Sequence, residues 1–277
     1  MRDVTRFAAV IVFASLATLS ACKRKHVAVD ALPELAYPAC NVDAGAPEVV
    51  GKGRLRPGSM MLDNKVVETF ALTKDACHYV LRAREEWPLM SADVEVVYDE
   101  TLTPLRAWKR MTVPGSPRPD GHADIRRYEF RTPEVTIKRR TPEGETLLEV
   151  LRAGGKTPPL AGTKPKAVIG PGRGILTAWI KRSKLAPGEK VRELVLDFRE
   201  MIELLQDVTL KREDDQYEPS LGRKVRVYTI YGREAIFTDE NDVVLGDLQG
   251  MRPSESVGTP DPPPLPRYGE PDPIGTP

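Results

Sequence analysis

Residues Gly170–Phe198 read GPGRGILTAWIKRSKLAPGEKVRELVLDF, and the hydrophobic pattern changes partway along. From Ile175 onward, Ile175, Leu176, Trp179 and Ile180 fall on one face of a helix. Arg182 and Lys184 sit near its end, where basic side chains suit the negative pole of the helix dipole. Pro187-Gly188 stops the pattern. Val191–Phe198 follows as a run of large aliphatic residues and reads as a strand. The stretch predicts one principal helix, Ile175–Lys184, set into a chain that otherwise reads as strands.

Toward the amino terminus, strands are predicted at Val66–Thr73, Cys77–Trp87, Asp93–Tyr98, Leu105–Val113, Asp124–Arg131, Glu134–Arg140 and Thr146–Leu151. Asn64, Asp75, Pro88, Pro104, Pro114–Asp120, Pro133 and Glu143-Gly144 punctuate them. Val94, Val96 and Tyr98 alternate with Asp93, Glu95 and Asp99, and Tyr128 and Phe130 alternate with Arg127, Glu129 and Arg131. Such alternation predicts an antiparallel sheet with one wet face. Toward the carboxyl terminus, strands are predicted at Val208–Arg212, Lys224–Tyr231, Ala235–Thr238 and Val243–Leu248, with Asp239-Glu240-Asn241-Asp242 as a hairpin turn. Arg199–Gln206 fits both periods and is left open. The fold class is mainly β, of α+β type.

The order of these elements resembles bacterial exported proteins of unknown function whose sheet curves around a helix, and it is similar in outline to LolA and LolB. The resemblance rests on the helix, Leu185-Ala186-Pro187-Gly188-Glu189, the strand Glu193–Asp197, Gly222 with Val225-Arg226-Val227-Tyr228, and the Phe237–Asn241 hairpin. It covers roughly Leu55–Gly250 and is carried by element order and turn residues, without a strict motif. It implies a curved antiparallel sheet or incomplete barrel wrapping the helix near residues 175–184, with an apolar concave face. No functional residue is carried over, since fold analogy does not supply function.

The termini are of a different kind. Arg2 and Arg6 precede Phe7–Leu19, FAAVIVFASLATL, an uncharged run of 13 residues. As a helix it spans about 20 Å, short for a ~30 Å hydrocarbon core, but of signal-peptide length. Leu19-Ser20-Ala21-Cys22 then looks like a lipobox. Residues 1–21 are therefore expected to be a lipoprotein signal peptide, with Cys22 lipidated and holding the chain to the membrane. The competing reading is a plain secretory signal followed by a chance cysteine. Lys23, where an acidic residue would favour inner-membrane retention, leans toward the periplasmic face of the outer membrane. Residues 22–50, with Pro33, Pro38 and Pro47, read as a flexible tether. Residues 252–277 hold nine prolines and few large apolar side chains, and read as a disordered tail. One domain, residues 51–251, is expected between them.

Residues 1–22 carry Arg2, Arg6 and Asp3, so without them the 41 basic and 40 acidic residues of the chain become 39 of each. This balance supplies no excess to displace counterions, and nucleic acid is not an expected partner. Cys40 and Cys77 remain as an even pair in an exported setting and predict a disulfide closing a loop of about 38 residues. Two free thiols, or half of a metal site, are the alternatives.

Candidate chemistry is sparse. Gly170-Pro171-Gly172-Arg173-Gly174 precedes a helix, as phosphate cradles do, but lacks the P-loop Lys-Ser/Thr and reads as a connector. Glu85-Glu86 and Asp214-Asp215 are chain neighbours whose side chains diverge on a strand, so they read as solvated surface. Asp239–Asp242 lacks the spacing of a calcium loop. Cys77-His78 adjacency puts the two side chains on opposite faces, His26 lies in the tether, and His122 lies in a Pro/Gly-rich loop. Lys138-Arg139-Arg140 alternates, with Arg139 opposite its neighbours, and Trp87, Trp108 and Trp179 belong to the core or its rim. Neither GxSxG nor HExxH occurs. No catalytic residue, metal or cofactor is expected. The functional expectation is a non-enzymatic envelope lipoprotein whose curved sheet binds a lipid, another apolar ligand or a protein partner. A structural or assembly role at the cell wall or in an envelope complex is the alternative, with a hydrolase behind it.

Overall fold

The computed structural model describes residues 47–57, 67–75, 77–87, 90–112, 124–141, 144–152, 163–199 and 202–254. The strands are β1 (Glu48–Pro57), β2 (Glu68–Asp75), β3 (His78–Trp87), β4 (Met90–Tyr98), β5 (Pro104–Thr112), β6 (Asp124–Phe130), β7 (Glu134–Thr141), β8 (Gly144–Arg152) and β9 (Ala167–Ile169). After them come a single 3-10 turn at Arg173–Ile175, the helix α1 (Leu176–Ser183), and β10 (Lys190–Asp197), β11 (Leu204–Arg212), β12 (Gln216–Glu218), β13 (Arg223–Ile230), β14 (Glu234–Thr238), β15 (Val244–Asp247) and β16 (Met251–Pro253).

The first eight strands pair in chain order as an antiparallel meander, and β16 returns to cover the edge of β1, with Leu55 opposite Pro253 and Pro57 opposite Met251. The second sheet runs β15-β14-β13-β11-β10-β9, with β12 on the start of β13, and is antiparallel apart from the β9–β10 pair. It curls strongly into a half-barrel, so the mainly-β class with a curved sheet around one helix holds. Among the described residues, no helix is long and apolar enough to cross a membrane.

Eight helical residues make about 12 Å, too little to be stable alone in water, so α1 depends on what it packs against. Leu176, Ala178, Trp179 and Ile180 are buried in one core cluster. The second sheet supplies Val195, Val208, Leu210, Tyr228, Ile230 and Ile236 to it, and the first sheet supplies Phe70, Leu72, Leu81, Val94, Val96 and Tyr128. Polar anchors fix the helix across the curve: Trp179 Nε1 donates to Glu193 Oε2 of β10 at 2.6 Å, and Val244 N of β15 donates to Thr177 Oγ1 at 3.3 Å. The concave face is thus filled by the helix. Its end is set by Lys184, which takes a left-handed backbone (φ 47°) three residues before Pro187.

The structure departs from the sequence reading in identifiable places. The first three residues of β1, Glu48–Val50, fall within the stretch read as tether, and Arg252-Pro253 of β16 within the stretch read as tail. β1 reads poorly as a strand because Gly51 and Gly53 interrupt it, yet a Cβ at Gly53 would lie 2.5 Å from the Phe70 ring. β9, β12 and β16 have three residues each, too few to display a period. Arg199–Gln206 resolves toward strand, since β11 begins at Leu204. The second face of the meander is polar but not wet. Its strands lie about 4.8 Å apart, so long side chains lie flat across their neighbours. Arg110 pairs with Asp93 at 2.6 Å, Arg127 with Glu129 at 2.6 Å, and all four are buried.

Candidate functional site

Glu68 opens β2, and Glu85 stands directly opposite it on β3. The next pair along the same face, Phe70 and Ala83, belongs to the core, so alternation points both carboxyls inward. Trp87, two residues beyond Glu85, shares that face, and its indole N–H donates to the Glu85 carboxylate.

The Gly170–Gly174 segment does hold an anion, but the anion is the protein's own. Glu68 Oε2 accepts from Arg173 N at 2.8 Å and Glu68 Oε1 from Gly174 N at 2.6 Å. Close approach requires the glycines. A Cβ at Gly172 would lie 2.5 Å from Glu68 Oε1, and one at Gly174 would lie 2.1 Å from the Phe70 ring. The segment expected as a simple connector is therefore a carboxylate-binding turn.

Arg173 donates from Nε to Asp247 Oδ2 at 2.7 Å and reaches Glu234 at 3.5 Å. Asp247 is fully buried and also takes Met251 N at 3.0 Å on Oδ1. Arg199 spends its guanidinium on Asp197 at 2.9 Å and Glu234 at 2.8 Å. Between these groups lies a pocket of about 250 Å³, walled by Glu68, Glu85, Trp87, Arg173, Asp247 and Met251, with Pro57 and Pro171 beside them. Burial pushes the Glu68 carboxyl up to about 7 against the pull of the two backbone N–H donors. Burial likewise pushes Glu85 up to about 7, reinforced by the charge of Glu68 across the strand pair. Two opposed carboxyls so placed each hold a proton more tightly than a surface acid does.

A second ionic cluster lies on the same inner face, three strands away. Lys109 of β5 and Arg126 of β6 are register partners. Both meet Glu203: Arg126 at 2.5 Å, Lys109 at 3.7 Å, and the Tyr128 hydroxyl donates to it at 2.9 Å. Asp124 adds bonds to Arg126 and Arg139, and the Lys109 ammonium donates to the Phe198 carbonyl at 3.0 Å. Burial pushes Lys109 down to about 8.

The other residues singled out in the sequence take plainer places. Cys22, Cys40, His26 and His122 lie outside the described residues, so the Cys40–Cys77 bridge remains a sequence expectation. Cys77 sits in the turn before β3, and His78 begins that strand. Glu85 and Glu86 do diverge, as expected, and Glu86 pairs with Arg84 at the surface. Glu85 itself is not surface, being 8% exposed, because its partner is on the next strand and not the next residue. Asp215 pairs with Arg212. Asp239 Oδ1 closes its own turn on Asn241 N and Val243 N. Lys138 and Arg139 bond on opposite faces, to Glu129 and Asp124. Trp108 packs with Val97 and Ile125 beneath Arg106, and Trp179 is core. The sequence reading does not reach Glu68. Its signal was available: in Glu68, Phe70, Leu72 and in Leu81, Ala83, Glu85 the acid keeps the phase of the inward-facing residues.

No family model matches the chain, and no curated protein matches it. Among solved structures it is similar to a DUF1089 family protein from Pseudomonas aeruginosa, at 14% sequence identity and a TM-score of 0.41, over 65% of this chain and 89% of that one.

Proposed function

We propose that this chain is a lipid-anchored envelope protein, attached through Cys22 and facing the periplasm from the outer membrane, whose folded domain acts by binding and not by catalysis. The observation that carries the binding reading is the pocket at Glu68, Glu85 and Trp87. The interior is a poorer candidate, because α1 fills the concave face. Trp87, on the pocket wall, is a large apolar side chain left exposed at the end of β3, and Leu248, next in the chain to the wall residues Asp247 and Gln249, is exposed as well. β1 begins at Glu48, nine residues or about 30 Å along the strand from Pro57 at the pocket. The binding rim and the point of tethering are thus at opposite ends of the folded part. Near-neutral charge across the chain argues against nucleic acid as the partner.

Two measurements test this reading. Intact-mass analysis of the protein from its host should give a chain starting at an acylated Cys22; an unmodified cysteine or a retained leader refutes the anchor. A photo-crosslinking residue at position 87 should capture a partner in cells that the same residue at position 49 does not. Equal capture at both, or none at either, refutes the rim. A second reading, hydrolysis, is favoured by the opposed carboxyls of Glu68 and Glu85, both near 7 and therefore matched to acid–base work. It requires Glu85→Gln to abolish turnover while ligand binding survives, whereas the binding reading has the ligand itself lost.

A further inference from the structure

The charge inventory around the pocket is lopsided. Three carboxyls line it, Glu68 from β2, Glu85 from β3 and Asp247 from β15, and two more, Asp197 from β10 and Glu234 from β14, stand behind its arginines. Two guanidiniums face them, Arg173 and Arg199, and both are engaged by Asp197, Glu234 and Asp247. Arg252 spends its guanidinium on the Asp247 and Met251 carbonyls and lies over the Phe237 ring. Glu68 has backbone N–H donors for both oxygens. Glu85, more than nine-tenths buried and on the pocket wall, has a like charge as its cross-strand neighbour, the Trp87 indole as its hydrogen-bond donor, and only the more distant pull of Arg173, whose guanidinium is bonded to Asp247 and Glu234.

From this geometry, and resting on the binding reading above, we propose that the pocket takes an organic cation, an alkylammonium group on an apolar stem. Its charge meets the Glu85 carboxylate, and its stem lies against Trp87, Pro57, Pro171 and Met251. A half-exposed indole beside a buried carboxylate suits such a ligand twice over, since the ring face attracts a cation and the ring body covers its methylenes. Entry of the cation favours the ionised form of Glu85 and so releases the proton that burial otherwise retains there. Because that carboxyl titrates near 7, affinity rises with pH through neutrality.

The test is calorimetric titration of the full chain in detergent with butylammonium chloride at constant ionic strength, with butan-1-ol and butyrate as controls. Saturable binding of butylammonium is expected, about tenfold tighter at pH 8 than at pH 6, with neither control binding saturably. Glu85→Gln is expected to weaken binding about tenfold or more and to flatten its pH dependence. Trp87→Phe, at an exposed position, is expected to weaken it about threefold, and it carries the test if the Glu85 variant does not fold. Equal binding of butanol or butyrate, or undiminished binding by Glu85→Gln, overturns the proposal. If butylammonium fails to bind while the position-87 cross-link persists, the cation assignment falls and the rim reading stands. Titration with Nα-acetyl-lysine methylamide, binding more tightly than butylammonium, assigns the cation to a protein side chain; weaker binding assigns it to a free amine.

Discussion

Two ionic sites occupy the same inward face of the nine-stranded sheet, and they are built on opposite principles. At Lys109, Arg126, Glu203, Asp124 and Arg139 cations and carboxylates alternate, and Glu203 alone meets three hydrogen-bond or charge partners. At Glu68 and Glu85 two acids face each other, one satisfied by backbone amides and the other by an indole. The first site pairs its charges across the two sheets and behaves as a buried fastening between them. The second opens on a pocket and keeps its charge imbalance. Burial is comparable in the two, so it is the completeness of pairing that separates a structural cluster from a receptive one.

Removing Glu203 should break the comparison most violently. Glu203→Ala strands the Lys109 and Arg126 charges in the interior and is expected to cost about 3–5 kcal/mol, read from the urea midpoint. The two sites should also pull stability in opposite directions with pH. Glu68 and Glu85 hold their protons more tightly when folded, so between about pH 4.5 and 7 the native state binds more protons than the unfolded chain and stability falls, by about 3 kcal/mol for each carboxyl. Lys109 holds its proton less tightly when folded, so above about pH 8 the unfolded chain binds more and stability rises. Urea midpoints across this range should pass through a minimum near pH 7–8. Glu85→Gln should shrink the acid-side fall, and Lys109→Met should remove the alkaline-side rise. A flat profile would mean that neither site is desolvated as described.

Smaller changes sharpen the contrast. Gly172→Ala drives a Cβ against Glu68 Oε1 and is expected to cost about 1–3 kcal/mol in thermal or urea unfolding, because the turn must give way. Trp87→Phe is expected to change stability by less than about 0.5 kcal/mol, since the indole is 39% exposed. A large loss there would assign Trp87 to packing and not to the rim.

Long alternating strands and the single helix were legible because period and burial coincide in them: Val94, Val96 and Tyr98 face the core as their spacing predicts. β9, β12 and β16 were not, because a three-residue strand is specified by its neighbours and not by its own pattern. The candidate site was half legible. Trp87 reads from sequence as core or rim, while adjacency in the chain pairs Glu85 with Glu86 and not with Glu68, its neighbour across the strands. Cross-strand pairing is a property of register, and register between β2 and β3 follows from inward residues on both strands taken together. Reading acids in phase with apolar residues, strand by strand, would have brought Glu68 and Glu85 to the same end of the sheet.

The return of β16 to β1 has a mechanical consequence. Three register pairs and the Asp247–Met251 bond hold this short strand, and Met251 is itself part of the pocket wall. Gly246, at φ +146°, lets the strand run so close that a Cβ there would lie 2.1 Å from the Met251 carbonyl oxygen. Tension on the chain beyond Ser254 meets the Ser254–Arg54 bond and the Pro253–Leu55 pair and then that wall, so traction at the trailing end and occupancy of the cavity load one and the same clasp.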